Sequence, residues 1–188
     1  MKNKREYFGK RKPTFIGDGF TGADRGNAIH KFFEVCDFSI ASSDFEKEKA
    51  RLLENGIMSD EELSVINPDA VSAFFESGLG KRILNSRKVF KEYEFSFLKS
   101  AKDVYDHIPD RIADEEIVEQ GNLDLAFVEG DKAILIDNKS DSITDEYVFV
   151  DIYRPQIDVY SEALSKCTGY AVEERYLYSF KLKKFIKL

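Results

Sequence analysis

The chain contains no tryptophan and, in 188 residues, only two cysteines, two methionines, two histidines and four prolines. Two cysteines, Cys36 and Cys167, supply neither a disulfide framework nor a four-ligand zinc or iron-sulfur site, and both are read as core-facing thiols. Low-complexity tracts are absent, and with 43% hydrophobic and 34% charged residues the composition is that of an ordinary globular domain. No apolar run approaches the roughly 20 residues of a membrane span. The basic start "MKNKREYFGKRKPTF" lacks a signal-peptide apolar segment, so a cytoplasmic protein without a membrane partner is expected. Positive charge is also in deficit. A net charge of -7 argues against holding nucleic acid by global electrostatics. The basic residues gather at the two ends, in "KNKREYFGKRK" and "FKLKKFIKL", as either a local phosphate-binding surface or solvated tails.

What is present is a helical first half followed by strands. Ile29, Phe32, Phe33 and Cys36 recur at helical spacing from Thr21 to about Phe38, with His30 beside that stripe. Ser43 with Glu46, and Ser59 with Glu62, have capping-box spacing. Asn67 and Pro68 then start a further helix through Phe74 and Phe75, broken around Gly78 and Gly80. Strands follow at "VFKEYEFSFL", at Ile117 to Val128 and at Lys132 to Asn138. A helix from about Tyr153 to Lys166, stopped by Gly169, precedes the strand "RYLYSF". Pro155 either starts or kinks that helix.

The chemistry sits in "GNLDLAFVEGDKAILIDNKSD". Gly130-Asp131 reads as a two-residue hairpin loop. With Glu129 facing Lys132, the register places Asp124 directly opposite Asp137, with Cβ atoms about 4.5–5.5 Å apart. Two carboxylates so close repel unless they share a proton or a cation, and a divalent cation is the natural partner. Lys139 emerges on the same face as Asp137, while the Asn138 side chain points away and its carbonyl remains a hard oxygen donor. Oxygen ligands of this kind suit magnesium or manganese and phosphodiester hydrolysis. An ordinary salt bridge of Lys139 with Asp137 or Asp141 is the structural alternative. A three-residue loop would put the two aspartates on opposite faces.

These residues resemble a family. Asp124 followed by Asp137-Asn138-Lys139 looks like the PD-(D/E)XK nuclease motif, and the hairpin is similar to the GxxDL and DYKTD signature of RecB-type nuclease domains. In the same order, "RGNAIHKFFEVCDF" resembles the helix carrying the family's metal-binding histidine, here His30. "RPQIDVY" matches QxxxY at Gln156 and Tyr160, and "VEERYLYSF" looks like the strand closing the fold. From about Lys12 to Phe180 the chain resembles in particular the C-terminal nuclease domain of AddA subunits. It departs from the pattern at Asn138, usually tyrosine, and Ser140, usually threonine.

The resemblance implies an α/β fold, a restriction-endonuclease-like three-layer core with a mixed central sheet flanked by helices and an N-terminal helical insertion. Residues 1–188 would form one domain, with a helical subdomain at about 40–86 and a catalytic core at about 20–38 and 88–180. It further implies a metal, Mg2+ or Mn2+ as its ion, held by His30, Asp124, Asp137 and the Asn138 carbonyl, with Lys139 as the catalytic lysine supported by Gln156 and Tyr160. DNA is the implied substrate, cut exonucleolytically within a helicase-nuclease of recombinational repair. No Walker sequence GxxxxGK[ST] occurs here, so the helicase would lie in another part of the same protein or in a partner subunit. On the residues alone, His30 is more often a satisfied core or surface histidine than a ligand, and Gln156 and Tyr160 more often belong to an ordinary capped and packed helix. Glu92 reads as a solvent-facing strand residue. A stand-alone exonuclease and a catalytically silent DNA-binding or docking module are the competing readings.

Overall fold

The structure is a computed structural model that describes residues 21–105 and 107–188. The amino-terminal basic stretch lies outside the described residues. Five strands form one mixed sheet in the order β1-β2-β3-β4-β5. They are β1 (Val89–Ser100), β2 (Glu116–Glu129), β3 (Lys132–Lys139), β4 (Ala171–Ser179) and β5 (Lys184–Lys187). Within this sheet only β3 and β4 run parallel, joined by the long helix α7 (Glu146–Thr168). Among the described residues, six shorter helices precede the sheet: α1 (Gly22–Val35), α2 (Phe38–Ser43), α3 (Phe45–Glu54), α4 (Asp60–Ser64), α5 (Pro68–Glu76) and α6 (Gly78–Asn85).

Strand alternation divides the apolar residues between two cores. Leu125, Phe127, Ile134, Ile136 and Tyr178 face α1–α6, whereas Leu123, Ala126, Ala133, Leu135 and Leu177 face α7. This is the three-layer architecture that the family resemblance implies, with the sheet as the middle layer.

Several local expectations change. Asp44, not Ser43, caps α3 by accepting from the Lys47 amide, while the Ser43 hydroxyl donates back to the carbonyls of Ser39 and Ile40 within α2. The helix break after Phe75 falls at Ser77, and Gly78 and Gly80 both lie inside α6. A Cβ at Gly80 would lie 2.1 Å from the Phe74 carbonyl oxygen, so glycine allows α6 to turn tightly against α5. Helix α7 begins at an Asp145 cap, well before Tyr153, with Pro155 inside it. Gly169 ends it in the left-handed conformation, φ 79°. The final lysine-rich segment is not a solvated tail. It forms β5 with Ile186 buried, and its Lys183, Lys184 and Lys187 pair with Asp69, Glu146 and Glu174. Cys36 is buried as expected, but Cys167 is exposed.

Beyond the reach of β3, strands β1 and β2 continue as a two-stranded arm whose inner side packs on α7. There Phe95 lies across from Gly121, and a Cβ on Gly121 would sit 2.8 Å from the ring's Cζ. The ring in turn meets Tyr160 edge-on at 5.9 Å between centroids. Gly121→Ala would push that ring out of its seat, and the expected loss is about 1–3 kcal/mol, as for other overpacked positions. Urea denaturation measures it, and an unchanged midpoint would show that Phe95 yields freely.

Candidate metal centre and lysine site

The turn behaves as the hairpin spacing requires. Gly130 has φ 63°, Glu129 faces Lys132, and the ladder runs to Leu125 opposite Ile136. The next pair in that register is Asp124 with Asp137, where the two strands part. Instead of a ladder bond, the Asp124 side chain takes over: its Oδ2 accepts from the Asn138 backbone N–H at 2.7 Å.

A second irregularity lies across β2. Lys91 pairs with Leu125 and Tyr93 with Leu123, so Glu92 stands opposite Asp124. Glu92 has φ 43°, a left-handed conformation uncommon for a residue with a side chain. Its effect is visible in the neighbours: Lys91 donates to the Cys36 carbonyl at the end of α1, and Glu92, the very next residue, meets His30 of the same helix. Two consecutive side chains thus turn to the α1 side, and the facing strand changes phase at the same row, between Leu125 and Leu123. The result is a row of three carboxylates, Glu92, Asp124 and Asp137, across β1, β2 and β3.

The row divides into two halves. In the first, His30 Nδ1 lies 3.1 Å from Glu92 Oε1 and 3.4 Å from Asp124 Oδ1, and ligand atoms of all three residues fall within 4.8 Å of one another. Asn122 fixes the other Glu92 oxygen at 2.7 Å. Burial alone would lower the His30 pKa, but the charges of Asp124 and Glu92 outweigh it and raise it to about 10. Burial likewise opposes charge on Asp124, yet His30 holds its pKa below the usual value.

In the second half, Asp137 is completely buried, and neither of its oxygens accepts a well-formed hydrogen bond. Lys139 Nζ stands 2.8 Å from Oδ2 as an ion pair by distance. Burial, reinforced by the Asp124 charge, pushes the Asp137 pKa well above the ordinary carboxylate range. Gln156 Oε1 accepts from Lys139 Nζ at 2.8 Å, and Gln156 Nε2 donates to the Tyr160 hydroxyl at 2.7 Å, which fixes the orientation of the amide. Burial, together with the charges of Asp137 and Asp124, holds the Tyr160 phenol above its ordinary pKa.

Every site residue named from the sequence therefore gathers in one region. Asn138 brings its N–H to Asp124, while its own amide is buried without a hydrogen-bond partner. Glu92 corrects the sequence expectation: its side chain is 17% exposed and belongs to the cluster. The ion pair of Lys139 is with Asp137 rather than Asp141. Imidazole and carboxylate donors beside the unsatisfied Asp137 oxygens form a set that fits a hard divalent cation.

No family model matches the chain. It is 36% identical over 195 aligned positions to the AddA chain of the ATP-dependent helicase/nuclease of Clostridium botulinum (strain Hall), covering all of this chain and 15% of that protein. A protein of the same name from Clostridium acetobutylicum is 32% identical over 187 positions, covering 95% of this chain and 15% of its own length. The chain thus spans about 15% of the length of these curated relatives. With that similarity running from end to end, the chain is a homologue of one segment of the AddA proteins of ATP-dependent helicase/nucleases.

Proposed function

We propose that the chain is a PD-(D/E)XK nuclease domain of RecB type, an Mg2+-dependent exonuclease that hydrolyses phosphodiester bonds of DNA. Its setting would be a larger helicase-nuclease that processes double-strand breaks for recombinational repair. The helicase would be supplied by another part of the same polypeptide or by a partner subunit. The observation that carries this reading is the convergence of His30, Glu92, Asp124 and Asp137 from four separate elements beside a lysine held by Gln156. The relatives' shared name supports it.

His30, Asp124, Asp137 and the Asn138 carbonyl would hold the metal, with Glu92 as a further carboxylate at the same place. A bound Mg2+ or Mn2+ supplies Lewis acidity toward a phosphate oxygen and lowers the pKa of a water. The protein's own part is to hold Lys139 where its ammonium meets the attacking water or the charge building on the phosphate. Gln156 keeps that ammonium aimed, and Tyr160 keeps Gln156 from flipping.

The test is an assay on end-labelled single-stranded and duplex DNA with Mg2+, Mn2+ or chelator, comparing wild type with Asp124→Ala. Progressive shortening from an end that stops with chelator and in the variant is expected. Cleavage that survives both would overturn the reading. Glu92 has its own prediction: Glu92→Gln keeps an oxygen for His30 but loses the charge and the bond accepted from Asn122, and Mn2+ affinity should fall about tenfold, a typical loss for a residue supporting a metal site. Calorimetric titration measures this, and unchanged affinity would remove Glu92 from the site.

A further inference from the structure

We propose that Tyr153 is a positioning residue for Lys139 and that it works by keeping Asp141 away from the ammonium. The proposal rests on the nuclease reading of Lys139. Asp141 follows Lys139 by two residues and is the nearest acid in sequence beyond it, so an ion pair between the two is the ordinary expectation. The structure shows a different arrangement. Asp141 Oδ2 accepts from the Tyr153 hydroxyl at 2.5 Å, while Lys139 Nζ lies 4.4 Å from the centroid of the same ring.

One side chain thus deals with both partners. The phenol hydroxyl satisfies the carboxylate and the ring face receives the cation, a contact that attracts an ammonium without neutralising it. Helix α7 makes this possible by presenting Tyr153, Gln156 and Tyr160 at spacings of three and four residues, on one stripe. Phe149, one turn earlier and fully buried, braces the Tyr153 ring edge-on at 5.2 Å between centroids. Lys139 is then surrounded by one carboxylate, one amide oxygen and one ring. A second carboxylate in that shell would cancel the charge that the reaction needs and draw the ammonium toward solvent, because Asp141 is exposed.

The discriminating variants are Tyr153→Phe and the double variant Tyr153→Phe/Asp141→Asn. The first keeps the ring and frees Asp141; the second also removes the competing charge. Two readouts apply: the NMR shifts of the Lys139 ε-methylene protons, which move upfield over an aromatic face, and kcat with KM on DNA. Tyr153→Phe should lose the upfield shift and lower kcat about tenfold, with KM within about twofold, as befits a group acting on the transition state alone. The double variant should recover the upfield shift and return kcat to within about threefold of wild type. A role in packing alone would give no recovery on removing Asp141. Tyr153→Phe that behaves as wild type, or a double variant that stays impaired, overturns the proposal. If the wild type shows no metal-dependent cleavage, the nuclease reading falls, and the methylene shifts still decide whether Tyr153 keeps Lys139 from Asp141.

Discussion

Lys139→Met is expected to slow phosphodiester cleavage by about 10²–10³-fold, the usual loss when one preorganised charge is removed from a transition state. The expectation follows from how much of the fold is committed to that ammonium. Its side chain is only 11% exposed, its nitrogen is shared between Asp137 and Gln156, and it rests on the Tyr153 ring. Methionine preserves the apolar stem, so the packing against α7 survives. Metal binding should be spared, because a cation held by Asp137 would compete with Lys139 for that carboxylate. Mn2+ affinity is therefore expected to stay within about threefold of wild type or to tighten, with a charge rival removed. Initial rates on end-labelled DNA and calorimetric titration separate the two effects. A variant that cuts at the wild-type rate would show that Lys139 merely neutralises Asp137.

How much of this site is legible from sequence depends on the distance between partners along the chain. Asp124 and Asp137 flank a two-residue turn, so their opposition can be computed from Gly130 outward, and the ladder runs in that register. Glu92 is tied to Asp124 just as directly in space, but 15 residues (101–115) with two 3-10 turns connect β1 to β2, and no turn geometry fixes their register. Its positive φ leaves no mark in composition either, since the position holds glutamate rather than glycine. Pro155 misleads in another way. It marks a helix start by rule, yet it costs α7 one backbone hydrogen bond on the exposed face, while Phe149 and Ile157 bury the opposite face on either side of it. In β5, the lysines hide a strand whose apolar contribution is Phe185 and Ile186.

Asp137→Asn should make the metal-free protein more stable at pH 8, because it removes a buried carboxylate whose charge the fold disfavours. The balance of charge decides the sign. Wild type holds three carboxylates, Glu92, Asp124 and Asp137, against two cations, His30 and Lys139. Asparagine evens that count, and Lys139 keeps Gln156 and the Tyr153 ring. The pH dependence follows from the direction of the Asp137 shift. A carboxyl whose pKa is raised on folding binds its proton more tightly in the folded state. Its penalty is absent below the unfolded value of about 3.9, grows as pH rises and is complete above the folded value. His30, raised to about 10, adds stability that is full below about 6.5 and lost as pH climbs through 10, and its partners Asp124 and Glu92 are present in both proteins. Urea denaturation at pH 5 and pH 8 in chelator should therefore show the two proteins diverging as pH rises, with the variant ahead. Mn2+ should reverse the order: wild type gains about 2.7 kcal/mol at a metal concentration one hundred times its Kd, and the variant, short of a ligand charge, gains far less. A wild type that is already the more stable protein at pH 8 without metal would mean that Lys139 fully compensates Asp137, and that the buried acid is a structural ion pair rather than a ligand kept at a cost to the fold.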